Sequence, residues 1–122
     1  MSADPTLARR QVAWWCWGVS AFLILVGIVG LFTENIGPLP TNRLHALGLN
    51  LGVGLVGFGF ARFSEERLFV LIVGIGMLAL ALLGFIPATQ AILYPRLHMN
   101  TAESVLELAG GVVSLGLWAR SR

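Results

Sequence analysis

An all-α integral membrane protein is the fold class this sequence predicts: a four-helix bundle made of two parallel helical hairpins, in one transmembrane domain over residues 1–122. Three observations predict it. The chain is 57% hydrophobic and 11% charged with a mean hydropathy of +0.83, too apolar for one small soluble core to hide. Four apolar runs, at about residues 12–32, 43–62, 68–86 and 101–119, are each about long enough to cross ~30 Å of hydrocarbon as a helix. The second half of the chain also echoes the first.

Residues 1–11 are polar, and Arg9 and Arg10 lead into the first run. The segment resembles a secretory leader, but its apolar run is longer than a leader's and lacks a small-residue cleavage site, which predicts a retained first span. Trp14, Trp15 and Trp17 crowd its start, as interfacial anchors do. Residues 33–41 form a loop around Glu34, Gly37, Pro38 and Pro40.

The second run, from Asn42 onward to Arg62, is the stretch around which the rest is organised. It carries Gly48, Gly52, Gly54, Gly57 and Gly59, and in lipid such residues permit close backbone approach between helices. At ~100° per residue, His45, Gly48, Gly52 and Gly59 share one side, with Ala46, Asn50, Gly54 and Gly57 roughly opposite. The span is therefore expected between two neighbours, with Asn50 hydrogen-bonded across helices.

Residues 63–67 make a charged turn in which Glu65 and Glu66 are expected to pair locally with Arg62 and Arg67. The third span follows, ended by Pro87. Residues 87–99 read as the longest connection, with at most a short helical turn from Ala91 to Tyr94. The fourth span departs from simple apolarity, because Glu103, Glu107, Gly110, Gly111 and Ser114 share one face. That face should look away from lipid. Trp118 marks the other interface.

The echo is specific. Asn42, His45, Gly52 and Arg62 are answered by Asn100, Glu103, Gly110 and Arg120, and the Gly30-Leu31-Phe32 end of span one by Gly84-Phe85-Ile86. Arg9, Arg10, Arg62, Arg67, Arg120 and Arg122 fall on one side of the spans, Arg43 and Arg96 on the other, which predicts an N-in, C-in orientation in a bacterial cytoplasmic membrane. Both histidines and Glu34, Glu103 and Glu107 then gather at the outer face.

That outer cluster is where chemistry has its best chance. Asn100 and Glu103 have capping-box spacing. Glu107, one turn deeper, needs a partner: Arg43, Arg96 or His45 in a structural ion pair, or a proton. His45 stands where an axial ligand to a haem or chlorophyll could stand, which makes it the candidate cofactor-binding residue. His98, Glu103 and Glu107 would have to join it in any metal site, although their spacing matches no compact metal motif. The net charge of +2 comes from eight arginines without a lysine or a basic run, which argues against nucleic acid. Cys16 is the sole cysteine, so an internal disulfide is excluded. Neither a nucleophilic triad nor a phosphate loop is present, and the sequence predicts no enzyme.

The N-x-x-H start of span two, its glycine-rich continuation, the hairpin repeat and the L-H-M-N-T-A start of span four resemble small four-span bacterial membrane proteins catalogued as a domain of unknown function. The resemblance covers about residues 22–118. It implies the four-span fold and no established activity. It also implies that a histidine often stands where this chain has Glu107, so a site of two repeat-related histidines is not expected here. The function expected is a non-catalytic accessory subunit packed against other integral membrane subunits and lipid, in a respiratory or photosynthetic complex. It requires no cofactor, although a peripheral pigment or lipid contact is compatible with it. The alternative is a protein handling a small molecule, metal or proton through the outer Glu/His cluster.

Overall fold

The computed structural model describes residues 5–122; the polar residues that precede them lie outside it. Helix α1 (Pro5–Gly30) leads into two short strands, β1 (Asn35–Ile36) and β2 (Leu39–Pro40). A π-helical segment (His45–Gly52) then runs without a break into α2 (Val53–Arg62), and α3 (Glu66–Phe85), α4 (Pro87–Leu97) and α5 (Thr101–Arg120) complete the fold. Three helices, over Thr6–Gly30, Glu66–Phe85 and Thr101–Arg120, are long and apolar enough to cross a membrane. Their outward faces carry Phe22, Leu25, Ile72, Ile75 and Val112, as a lipid-facing surface would.

Helix α1 starts before the expected residue 12, because proline suits a first helical turn, where its missing N–H removes no bond. The expected loop at 33–41 is an ordered miniature hairpin that pairs Asn35 with Pro40 and Ile36 with Leu39. Its two-residue turn uses Gly37 at a φ of 61°, a conformation open to glycine. The connection at 87–99 differs more. It is an eleven-residue helix rather than a loop with one helical turn. Pro87, which read as a breaker, falls in the first turn, where a helix tolerates proline, whereas Pro95 stands inside the helix near its end. The helix ends on His98 in the left-handed region, at a φ of 51°, held there by a 2.9 Å bond from its Nδ1 to the Thr41 carbonyl.

Two antiparallel helical pairs form the body. The π segment and α2 run back along α1, so that Ala46 faces Gly30, Leu51 faces Gly27, and Gly54 and Gly57 face Ser20. Likewise α5 runs back along α3, where Ser104 faces Gly84, Gly111 faces Leu78, and Ser114 and Leu115 face Gly74. The two crossings are duplicates. Gly30 on Ala46 is answered by Gly84 on Ser104, and Ser20 on Gly57 by Gly74 on Leu115, with the small partner exchanged between strands of the repeat.

The pairs meet through α1 against α3 and α5, and α2 against α3. Val12, Cys16, Ala61, Phe69, Val70 and Val73 form a packed core near the end that carries Arg62 and Arg67. There Arg67 Nε donates to Ser121 Oγ at 2.8 Å, and the Arg67 and Arg122 guanidinium groups lie 5.8 and 5.4 Å from the Trp118 ring centroid. The expected pairing of Glu65 and Glu66 with Arg62 and Arg67 does not form, because Arg67 is turned toward α5 instead.

Candidate functional site

At the end opposite that core, the repeat closes on itself. Asn42 Oδ1 accepts from the His45 N–H at 2.8 Å, and Asn100 Oδ1 accepts from the Glu103 N–H at 3.0 Å, so each asparagine starts its own helix. Each then reaches across. Asn42 Nδ2 donates to the Arg96 carbonyl at 2.8 Å, and Asn100 Nδ2 donates to the Pro38 carbonyl at 2.9 Å. Pro38 and Arg96 are themselves repeat-related, so the two cross-links are one bond made twice about a pseudo-two-fold axis.

His45 and Glu103, also repeat equivalents, meet at the centre. Nε2 lies 3.4 Å from Oε2, and the two residues are 4% and 7% exposed, too little for water to replace either partner. His45 Nδ1 lies 3.1 Å from the Leu97 carbonyl. A carbonyl only accepts, so Nδ1 carries its hydrogen, and the facing Nε2 and Oε2 attract only with a proton on one of them. Both ring nitrogens are thereby committed. An axial ligand needs a free nitrogen aimed at a metal, so His45 is not placed to serve as one. Glu103 keeps the capping half of the box through its N–H, while its carboxylate turns to His45 rather than back to Asn100.

Below this knot lies a cavity of about 900 Å³ between α1, the π segment, α2, α3 and α5. Its walls are almost wholly apolar, with Thr41, His45, Glu103, Asn50 and Glu107 as the polar exceptions toward one end and Trp14, Phe60 and Phe69 at the other. Asn50 belongs on the opposite side from His45 in an α-helix. A π-helix advances by roughly 82° per residue instead of about 100°, which turns Asn50 onto the cavity side. Gly52 permits this winding, because a Cβ there would lie 2.9 Å from the Leu47 carbonyl oxygen. The amide of Asn50 makes no hydrogen bond among the described residues, so the expected interhelical bond is absent.

Glu107 shares the cavity wall, one turn inward from Glu103. Its Oε2 is fully buried and has no hydrogen-bond partner, and no ion pair joins it to Arg43, Arg96 or His45. His98 is spent on Thr41, and no three His, Cys, Asp or Glu side chains converge as metal ligands among the described residues.

The other residues singled out in the sequence divide by side. Gly54, Gly57 and Gly111 are buried at helix crossings, and a Cβ on Gly110 would lie 2.5 Å from the Met77 methyl. Nothing lies within 4 Å of a Cβ placed on Gly48 or Gly59, so the second packed face expected of span two is not used within this chain. Trp14 and Trp17 face outward at 74% and 45% exposure. Trp15 instead turns inward, and its Nε1 donates to Ser114 Oγ at 2.7 Å. That bond, the crossed asparagine amides and the Arg67–Trp118 stack are what reading the sequence missed. Only the asparagines left a signal, their matching places at the two span starts.

A family model described as Domain of unknown function (DUF4383) matches residues 33–119, from the first loop to the end of the last span. No curated protein and no solved structure matches the chain.

Proposed function

We propose a function for this chain, which belongs to the DUF4383 family, from its own geometry: it is a four-span protein of the bacterial inner membrane that holds a small apolar or amphipathic molecule between its helices. The observation that carries this is the cavity of about 900 Å³, the size of a drug-like ligand site, with apolar walls and a few polar groups gathered toward one end. Ionisable groups inside spans mark binding sites more often than packing, and Glu107 is such a group without a structural partner. In the proposed topology His45–Arg62 is the remaining span, and the sides carrying Arg9, Arg10, Arg62, Arg67, Arg120 and Arg122 face the cytoplasm. The knot of His45, Glu103 and the crossed asparagines then closes the outer end. The role is binding rather than catalysis.

Gly76 lines the cavity with nothing within 4 Å of an added Cβ, so Gly76→Phe fills the space without displacing a helix. Native mass spectrometry of the protein extracted in a mild detergent is expected to show a bound small molecule that Gly76→Phe removes. A ligand retained in full by that variant, or no ligand in the parent, would sink the reading. Gly59 and Gly116, bare of neighbours and outside the cavity, favour a second reading, the accessory subunit, since a foreign helix can approach closely there. Migration on a native gel with other membrane proteins would support it.

A further inference from the structure

We infer that Glu107 and Asn50 form the head-group subsite of this cavity, and that the ligand is a single-chain amphiphile whose polar end donates a hydrogen bond. The inference rests on the ligand-binding reading and names the ligand's chemistry.

The two side chains stand at one level. Glu107 lies about 6 Å inward from Glu103 along α5, and Asn50 about one π turn inward from His45. Since His45 and Glu103 touch, the residues beneath them border the same part of the cavity. Neither side chain makes a hydrogen bond or an ion pair among the described residues. Glu107 Oε2 is a buried acceptor with no donor within hydrogen-bond distance: Arg43 and Arg96 do not reach the cavity, and both nitrogens of His45 are engaged. A buried carboxyl oxygen left unpaired is costly, so a donor arriving with the ligand gains more here than in water. The Asn50 amide can donate to or accept from the same head, which suits a hydroxyl or an amine.

Beyond this level the walls are apolar as far as the aromatic end at Trp14, Phe60 and Phe69. From Asn50 to Phe60 the wall runs about 15 Å, close to an extended dodecyl chain. The shape fits one tail rather than two.

The test uses the whole chain in phosphatidylcholine nanodiscs, whose head groups carry no donor. The probes are ω-bromododecanol, ω-bromododecylamine and the methyl ester of ω-bromododecanoic acid, which has the same tail and only acceptors in its head. Trp14, Trp17 and Trp118 are replaced by phenylalanine, so that with the head at Glu107 the bromine reaches the end lined by the inward-turned Trp15 and quenches its fluorescence. The alcohol or the amine is expected to quench at roughly tenfold lower membrane concentration than the ester, the factor that one hydrogen bond supplies. Which of the two acts more strongly identifies the kind of head. Glu107→Leu, which exchanges an unpaired buried carboxyl for an apolar group, is expected to fold and to abolish the difference. Glu107→Gln keeps one acceptor oxygen and should retain part of it. Equal quenching by all three probes in the parent, or a preference that survives Glu107→Leu, would overturn the head-group assignment and leave the cavity reading standing. No quenching by any probe would overturn the cavity reading itself.

Discussion

Two carboxylates one helical turn apart on α5 have opposite fates, because only one has a partner facing it. Glu103 meets His45, whose ring is braced by the Leu97 carbonyl. His45→Ala leaves Glu103 buried alone and should cost about 3 kcal/mol. Replacing both residues by leucine should recover most of that loss, since two apolar groups need no partner. Thermal unfolding in mild detergent, followed by circular dichroism, measures both. A double variant no more stable than His45→Ala would show that the pair is not the source of the loss. The crossed asparagines make a second test at this scale. Asn42→Ala and Asn100→Ala each remove a helix cap and a cross-link, and each should cost about 1–2 kcal/mol. Unequal losses would contradict the pseudo-symmetry of the knot.

Among the elements, span two departs furthest from its sequence pattern. Its glycines announce close packing, but the side that packs was not legible, since helical periodicity supposes a constant turn per residue. The π segment breaks that constancy. Gly52→Ala should rewind it toward an α-helix, because its Cβ meets the Leu47 carbonyl, and should turn Asn50 out of the cavity. Hydrogen exchange along residues 45–52 would report the rewinding, and an unchanged pattern would refute it. The packed glycines differ sharply from the bare ones. At Gly57 a side chain would overlap Ser20 and Phe69, while at Gly48 it meets open space. Gly57→Leu should lose at least ~2 kcal/mol, and Gly48→Leu almost nothing. Equal losses in the same unfolding assay would remove the assigned crossing. Helix α4 was illegible for another reason: Pro87 read as the end of the third span, and a proline that ends one helix serves equally well in the first turn of the next.

The whole molecule is a duplicated hairpin whose halves bond to each other as they pack within themselves. Repeat-related residues meet at the centre in His45 and Glu103, and repeat-related bonds flank them. The packed core lies at the arginine-rich end, and the cavity runs from beneath the knot to the edge of that core at Phe60, Phe69 and Val73. The proposed orientation makes its own prediction. In a Cys16→Ser background, Glu65→Cys in the turn before α3 should react with a membrane-impermeant maleimide only after cells are opened. Asn35→Cys in the opposite hairpin should react on intact cells. The reverse pattern would invert the topology.

By itself the sequence determined the helical class, the three long apolar helices and the asparagine-led starts at Asn42 and Asn100. Those follow from hydropathy over a span's length and from local capping, which a short stretch of chain carries within itself. Only the tertiary structure decided that His45 meets Glu103, that Asn50 and Glu107 both border one cavity, and that the helices leave that hollow between them. Each depends on how one helix is rotated against another. That rotation is set by contacts such as Gly57 on Ser20 and Gly84 on Ser104, between residues far apart in sequence, so no local pattern carries it.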